Sequence, residues 1–548
     1  MTKLGWKQRW PALTIALLIL TITMPAALGA TPNPRTPQTT DETVVVTDAG
    51  PVRGTVAEDY RLFQGIPYAA PPVGELRWRS PRVASPWTAP RDATAPGSRC
   101  PQVGDEYNGP RSEDEDCLVL DVTTPRSADP TNLKPVMVWV HGGGLVGGAG
   151  SDHDARRLAV AGDVVVVTVN YRLGILGFFA HPELANSGGY GLEDQQAALR
   201  WVRDNIAAFG GDPGNVTLFG ESGGAVSICA HLTSPPAAGL FHRAIIQSGG
   251  CIGDAPANTF FPGVPELATW PTIEEIEGIG AAVAPGAGCG DPATAVACLR
   301  ALPAADLLAG TAIFTRPGFG TPLLPESPER ALAEGRFHQV PVLAGHTRDE
   351  GTMWAAFHPR PITAAYYQEQ LATAFGDDAG RIVAEYPVED YDTPGLAWAA
   401  VVTDRVWACP ILEGHRLFAA GVPTFAYRFD DRDAPRTFPE PPEIPLGAYH
   451  ASELLYLFDR AGLGTPEPLT ADQRELSTQM IQYWANFART GDPNGPGLPA
   501  WEPFTNDDPV PFVQGLAPGA AGIDAIAGHR CDFWVELAAA DPLARYRD

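Results

Sequence analysis

The chain alternates short, unbroken apolar runs with amphipathic stretches. Residues 136–140, 164–169, 244–247 and 342–345 form the apolar runs, rich in β-branched side chains and interrupted in the second only by Thr168. Such runs are typical of parallel strands covered on both faces. Leu199, Val202 and Ile206 follow helical spacing, with Asp194 and Arg200 outside the apolar stripe. Strands alternating with helices predict an α/β fold with a right-handed, mostly parallel central sheet flanked by helices.

The flanking segments predict where this fold begins and ends. Residues 43–46 and 52–55 alternate around an Asp-Ala-Gly turn, which indicates a hairpin. Residues 252–332 are interrupted by Pro and Gly, so we expect an insertion above the carboxyl ends of the strands, where α/β folds bind ligands. Residues 471–489 predict a long helix, and Cys531 begins a last amphipathic helix. We therefore expect one catalytic domain over residues 42–548.

Residues 215–225 carry the strongest candidate chemistry. They read Asn-Val-Thr-Leu-Phe-Gly-Glu-Ser-Gly-Gly-Ala, a strand that breaks at a small-residue turn and continues into a helix. This is the pattern of a nucleophile elbow, which would lift the hydroxyl of Ser222 out of the strand end. The G-x-S-x-G pentapeptide also occurs in ordinary turns, so the rest of the chain has to decide between the two readings.

The first 41 residues differ from the rest. Lys3, Lys7 and Arg9 precede an uncharged stretch over residues 12–30 that ends in a small-x-small pattern. This predicts a secretory signal peptide over residues 1–30, followed by a disordered Pro/Thr-rich spacer over residues 31–41. We expect a secreted protein without stable membrane insertion after cleavage. An uncleaved N-terminal anchor on the outer face of the membrane is the alternative.

The net charge limits the classes of binding partner, and the cysteine content indicates the redox state of the compartment. The net charge of −26 over 548 residues argues against a nucleic acid or an anionic membrane as partner. Eight cysteines in the exported part make disulfides the default expectation, although spacing alone does not fix their pairing.

Serine acyl transfer also requires a base, an acid and oxyanion donors, in the chain order serine, acid, histidine for an α/β-hydrolase. Of the histidines beyond a plausible acid strand, His450 lies in a loop between two elements and is the best candidate. The acid should follow the strand at residues 342–345, where Asp349 and Glu350 are equally suitable. A solvated loop is the alternative interpretation for these residues.

The run His-Gly-Gly-Gly at residues 141–144 follows another predicted strand. Main-chain N–H groups of Gly143 and Gly144, together with that of Gly223, could form an oxyanion hole. A structural loop is the alternative, because no phosphate-binding glycine pattern fits. The acidic cluster at residues 430–433 lacks calcium-loop spacing. We therefore predict no metal and no cofactor.

The chain resembles the type-B carboxylesterase and cholinesterase-like branch of the α/β-hydrolases from Thr43 to the C-terminus. The blocks that carry the resemblance, in the family's order, are residues 63–78, 115–122, 141–144, 170–174, 191–201, 209–225, 247–249, 349–351 and 487–494. The resemblance implies Ser222 as nucleophile, Glu350 rather than Asp349 as acid, and His450 as base. It also implies that Gly143, Gly144 and Gly223 form the oxyanion hole.

Position along the chain and the resemblance together assign supporting roles. Glu221 and Ser248 are expected beside the triad without reacting, and Glu453 is expected to brace the loop of His450. Leu145 and Trp354 are expected to line the pocket. The implied disulfides are Cys100–Cys117, Cys289–Cys298 and Cys409–Cys531, whereas Cys229 and Cys251 could form a fourth bridge or remain thiols. The implied buried ion pairs are Arg77–Glu115 and Arg172–Asp194.

These observations together predict a secreted serine carboxylesterase that hydrolyses small-molecule esters through an acyl-enzyme. One alternative is a binding protein of the same family that has lost catalysis. Another is a lipase or an enzyme that cleaves amides or carbamates.

Overall fold

A central sheet of eleven strands organises the part of the chain that the computed structural model describes. The described residues are 41–105, 109–437, 440–459, 467–508, 510–519, 523–524 and 528–538. The predicted signal peptide and the spacer, apart from Asp41, lie outside them.

The strands, in chain order, are β1 (Val44–Val46), β2 (Pro51–Arg53), β3 (Thr55–Val56), β4 (Tyr60–Pro67), β5 (Arg91–Asp92), β6 (Val119–Pro125), β7 (Lys134–Val140), β8 (Val165–Val169), β9 (Gly211–Glu221), β10 (Arg243–Gln247), β11 (Asp254–Ala255), β12 (Leu267–Ala268), β13 (Val342–Thr347), β14 (Thr424–Phe429), β15 (Phe512–Leu516) and β16 (Ile523–Asp524).

The α-helices are α1 (Arg156–Gly162), α2 (Gly174–Phe178), α3 (Tyr190–Asn205), α4 (Gly223–Thr233), α5 (Ile273–Val283), α6 (Ala295–Ala301), α7 (Ala304–Leu307), α8 (Pro328–Ala333), α9 (Glu350–Ala355), α10 (Ala364–Phe375), α11 (Ala379–Glu385), α12 (Pro394–Val402), α13 (Cys409–Ala419), α14 (Ala471–Thr490) and α15 (Cys531–Ala538). A π-helical turn, Thr403–Ala408, joins α12 to α13.

The sheet order is β16-β15-β14-β13-β10-β9-β7-β8-β6-β4-β3. Neighbours from β15 to β8 are parallel, whereas the outermost pairs at both ends are antiparallel. The predicted mostly parallel α/β sheet is therefore confirmed. The predicted hairpin is the antiparallel β1–β2 pair, which belongs to a separate three-stranded sheet with β5.

The apolar run of β7 shows why the central strands lack alternation. Val136, Val138 and Val140 pack into one hydrophobic cluster, while Met137 and Trp139 pack into another. Because successive side chains point to opposite faces, a strand covered on both faces must be apolar throughout.

The buried ion pair that the resemblance implies between Arg172 and Asp194 is present at α3. Asp194 lies outside the apolar stripe, yet its side chain is completely buried because both carboxylate oxygens accept hydrogen bonds from Arg172. A paired charge can occupy a position that periodicity alone reserves for polar surface residues.

All eight cysteines form disulfides. The three implied pairs, Cys100–Cys117, Cys289–Cys298 and Cys409–Cys531, are present, and the open question about the remaining two is resolved by a fourth bridge, Cys229–Cys251. The Cys229–Cys251 bridge joins α4, the helix that follows the elbow, to the segment after β10.

The helical stretch Pro394–Ala419 is apolar and long enough to cross a membrane by length and composition. Its most apolar window is, however, 72% buried inside the protein. That burial is the property of a core helix. The stretch contains the π-helical turn and packs close to the candidate site described next.

Candidate active site

The elbow at Ser222 is a strained turn between β9 and α4. Ser222 has φ 53° and ψ −122°, a conformation that non-glycine residues rarely adopt. A Cβ added to Gly224 would collide with the carbonyl oxygen of Val140 in the neighbouring strand. The turn therefore requires glycine at residue 224, and it leaves Ser222 partly exposed at the carboxyl end of the sheet.

His450 and Glu350 meet beside this elbow. Nδ1 of His450 lies 2.5 Å from Oε2 of Glu350, and Nε2 lies 3.0 Å from Oε1 of Glu221, the residue before Ser222. Both side chains of the His450–Glu350 pair are buried. Glu350 is held from its other side because its Oε1 accepts the backbone N–H of Thr347 at 2.9 Å. The imidazole thus bridges the acid candidate and the elbow.

Asp349 contacts a different part of the protein from Glu350. Its Oδ2 accepts hydrogen bonds from Arg432 Nε at 3.0 Å and from the backbone N–H of Ala448 at 2.9 Å. Its own N–H donates to the carbonyl of Ala448, so it fastens the loop that precedes His450. Glu350, not Asp349, reaches the imidazole.

The other histidines that could have served as base lie elsewhere. His358 contacts Tyr366 and Trp398, His415 lies within α13, and Nδ1 of His529 donates a hydrogen bond to Asp404 Oδ1.

Three buried carboxylates surround His450. Burial alone lowers the pKa of His450, but Glu221, Glu350 and Glu453 together outweigh it and raise that pKa. Burial raises the pKa of Glu221 and of Glu453, whereas the neighbouring His450 holds the pKa of Glu350 below its ordinary value despite burial. The arrangement therefore stabilises the imidazolium that forms when His450 accepts a proton, and it keeps Glu350 ionised beside it.

Glu453 is anchored behind the imidazole. Its Oε1 accepts a hydrogen bond from Gln247 at 3.2 Å, and Gln247 in turn accepts one from the indole of Trp484 at 3.1 Å. The sequence indicated the brace at Glu453. Its partner Gln247 ends β10 and begins the block 247–249 of the resemblance, but the sequence assigned it no role. Ser248, the next residue, is buried with φ 47°, and its backbone N–H donates to the carbonyl of Gly345.

The glycine loop after β7 lies against the elbow. Gly143 and Gly144 have φ 93° and 61°, respectively. A Cβ added to Gly223 would lie 3.2 Å from the backbone nitrogen of Gly144 and 2.9 Å from that of Leu145. The first residue of α4 and the backbone of the glycine loop therefore lie close together beside Ser222.

His141 fixes the base of this loop. Its ring stacks on Tyr171 with centroids 4.4 Å apart, and Tyr171 donates a hydrogen bond to the His141 carbonyl. Burial lowers the pKa of His141 to about 3, so the ring is neutral near pH 7.

Of the two expected pocket residues, Leu145 is fully buried in the core, whereas Trp354 is half-buried and packs against His450.

An aromatic group, of which the sequence indicated only Trp354, surrounds the imidazole. Trp407 lies 4.6 Å and Trp354 lies 5.4 Å from His450, measured between ring centroids. Phe260 and Phe261 extend the group toward the surface, since each packs edge-on against Trp354. Trp407 belongs to a π-helical turn, and hydrophobic periodicity does not reveal such a turn.

The acidic cluster at residues 430–433 is engaged by protein groups. Asp430 pairs with Arg428, and Asp431 accepts hydrogen bonds from Tyr456 and Gln473. Within the described residues, no group of three or more His, Cys, Asp or Glu side chains is arranged to hold a metal ion.

Comparison with known proteins shows the family of the chain. Residues 41–534 match the family described as the carboxylesterase family. The chain belongs to the carboxylesterase family. Family membership confirms the predicted carboxylic-ester hydrolase and its α/β-hydrolase fold.

Individual relatives of this carboxylesterase cover most of its length. It is 36% identical over 468 residues to the para-nitrobenzyl esterase of Bacillus subtilis (strain 168), covering 82% of this chain and 90% of that protein. It is 35% identical over 528 residues to the cocaine esterase of Oryctolagus cuniculus, covering 89% and 94%. A solved structure titled thermophylic PNB esterase superimposes with a TM-score of 0.73 at 31% identity, covering 90% of this chain and 99% of that one.

Proposed function

We propose that this carboxylesterase hydrolyses esters through an acyl-enzyme on Ser222, with His450 as base and Glu350 as the orienting acid. The observation that carries the proposal is the buried contact of 2.5 Å between His450 and Glu350 beside the strained elbow. An orienting carboxylate on one imidazole nitrogen leaves the other to exchange protons with the serine and the leaving group.

The chemistry then follows in two halves. His450 Nε2 takes the proton from Ser222 Oγ as this oxygen attacks the ester carbonyl, and the imidazolium returns the proton to the departing alcohol. In the second half, a water molecule gives a proton to His450 as its oxygen attacks the acyl carbon. The bond from that carbon to Ser222 Oγ then breaks, the imidazolium returns the proton to Ser222 Oγ, and the carboxylic acid leaves. Glu350 stays ionised throughout and stabilises the imidazolium.

The oxyanion of each tetrahedral intermediate is proposed to accept hydrogen bonds from the N–H groups of Gly143, Gly144 and Gly223. The proposal is supported by the positive φ values of Gly143 and Gly144 and by the close approach of Gly223 to the N–H of Gly144. Fixed main-chain donors need no reorganisation when charge develops, which is why they lower the barrier.

Covalent labelling tests this proposal directly. We expect an organophosphonate that carries a good leaving group to modify Ser222 of the parent enzyme, detected as a mass shift on the peptide that contains this residue. The Ser222→Ala variant should not be labelled, whereas Ser227→Ala, which removes a hydroxyl one turn along α4, should be. A binding protein without catalytic geometry would remain unlabelled in all three forms.

Glu221 is expected to set the pH dependence of the reaction. The carboxylate of Glu221 favours the charged form of His450, so Glu221→Gln should lower the pKa of the base. Since the base is active when it is deprotonated, the acid limb of the kcat/KM profile should move to lower pH by about one unit. Glu75→Gln, at a side chain that is 88% exposed, is the matched control and should leave the profile unchanged. An unshifted limb in Glu221→Gln would show that this carboxylate does not act on the base.

The enzyme is proposed to act after export. Its four disulfides favour an oxidising compartment, and residues 1–30 have the pattern of a signal peptide. We expect mass spectrometry of the protein in the culture medium to find an N-terminus near residue 31. A cell-bound protein that retains Met1 would instead support the N-terminal anchor.

The substrate is proposed to be a small-molecule ester. Relatives named para-nitrobenzyl esterase, cocaine esterase and acylcarnitine hydrolase suggest para-nitrobenzyl esters, cocaine and acylcarnitines as the first panel. Activity confined to long-chain emulsified esters, amides or carbamates would favour the lipase or amidase alternatives.

A further inference from the structure

The π-helical turn between α12 and α13 brings Trp407 against the proposed base. Trp407 is buried, and its ring is tilted by 45° to that of His450 at a centroid distance of 4.6 Å. Trp354 lies on the same side, parallel to Trp407 within 8°. A π turn inserted in an α-helix is rare and occurs often at functional sites.

Buried contacts hold the turn in place from two directions. Asp404 accepts hydrogen bonds from Tyr386 Oη and His529 Nδ1, each at 2.7 Å, and from the backbone N–H of Arg530 at 3.0 Å. Thr403 Oγ1 accepts a hydrogen bond at 2.8 Å from the backbone N–H of Gly351, the residue after Glu350. The turn that carries Trp407 is therefore bonded both to the C-terminal segment and to the first turn of the acid's helix.

We propose that Trp407 is a positioning residue for His450, holding the imidazole against Glu350 and stabilising its charged form through the face of the indole ring. This inference rests on the proposed role of His450. It extends that proposal because Trp407 is part of neither the triad nor the oxyanion loop.

Two physical effects combine in this contact. A cation within about 6 Å of an indole centroid is attracted by the negative face of the ring. The charged groups that face His450 are the carboxylates of Glu221, Glu350 and Glu453, and the indole adds to their attraction without competing for a ring nitrogen. The second effect is steric, since a wide flat neighbour limits rotation of the imidazole out of the plane that serves Glu350.

Substitutions at residue 407 separate these effects from general packing. In Trp407→Leu, we expect kcat to fall between about 10-fold and 100-fold because the base is less well oriented, with KM changed less than about threefold. The acid limb of kcat/KM should move to lower pH by roughly half a unit to one unit, because the charged imidazole loses an aromatic face. Trp407→Phe should restore most of kcat and most of the pH position.

The controls address stability. Trp398→Leu removes a fully buried indole from the neighbouring helix α12, and the expected result is a lower melting temperature with an unchanged pH profile. Where Trp407→Leu does not fold, Trp407→Met provides an apolar side chain without an aromatic face for comparison with Trp407→Phe. An unshifted acid limb in both apolar variants, or a Phe variant as impaired as Leu, overturns the proposal.

Phosphonate labelling distinguishes this outcome from failure of the proposed function. If the parent enzyme is labelled at Ser222 and the Trp407 variants behave like the parent, only the positioning role is wrong. If the parent is not labelled at Ser222, the triad assignment itself is wrong, and the role of Trp407 falls with it.

Discussion

Replacing Ser222 with alanine is expected to lower kcat on a short-chain aryl ester by on the order of 10⁶-fold. The loss is this large because the three triad groups act as a unit, so removal of the nucleophile leaves the base and the acid without a reaction to assist. The measurement is a steady-state assay of the purified variant beside the parent. Undiminished activity in Ser222→Ala would show that Ser222 is not the nucleophile.

The Ser222→Ala variant is expected to keep a residual rate that does not depend on the nucleophile. Oxyanion donors and substrate binding still act in Ser222→Ala, so a rate of about 10³-fold to 10⁴-fold above the uncatalysed reaction can persist. Ser227→Ala is the matched control, since Ser227 lies in the same helix and its hydroxyl donates to the Gly223 carbonyl. Its activity should remain within about tenfold of the parent, and its melting temperature shows the cost of removing a buried hydroxyl from α4.

The elbow and the central strands could be predicted from the sequence because their causes are local. A strand covered on both faces must be apolar at every position, and the turn at Ser222 has room only for glycine at residue 224. Both requirements restrict the types of consecutive residues, so they can be recognised in the sequence. The position of His450 was predicted from the chain order of an α/β-hydrolase, a topological rule rather than a local one.

The choice between Asp349 and Glu350 shows where local reasoning stops. Both are acidic, adjacent and at the start of a helix, yet their carboxylates diverge to different partners. Glu350 meets His450, while Asp349 meets Arg432 and the backbone of Ala448. Only the placement of the histidine loop, which lies 100 positions along the chain from Glu350, distinguishes them.

Trp407 and Gln247 were not predicted for a related reason. Trp407 packs against His450, and Gln247 holds Glu453, through contacts between distant elements. The sequence assigned neither residue a chemical role. The fourth disulfide stayed an open alternative in the sequence, because Cys229 in α4 and Cys251 after β10 are brought together by the fold rather than by their spacing.

Breaking the buried ion pair between Arg172 and Asp194 is expected to have the largest effect on stability. Arg172 donates to both carboxylate oxygens of Asp194 at 2.7 Å, and the two side chains are 3% and 0% exposed. Asp194→Asn should lower the free energy of unfolding by roughly 3 to 5 kcal/mol, because it leaves a buried guanidinium without a counter-charge. For a domain of this size, the melting temperature should fall by several degrees at a fixed scan rate.

Two comparisons show whether the unpaired charge is the cause. Replacing both partners, as in Arg172→Met with Asp194→Leu, should recover part of the lost stability, because neither charge is then left buried alone. At the exposed pair Arg203–Asp204, whose side chains are 53% and 46% exposed, Asp204→Asn should change stability by no more than about 1 kcal/mol. If Asp194→Asn is as mild as Asp204→Asn, the pair does not stabilise the fold. If the double variant is as unstable as the two single changes added together, the loss comes from packing rather than from the stranded charge.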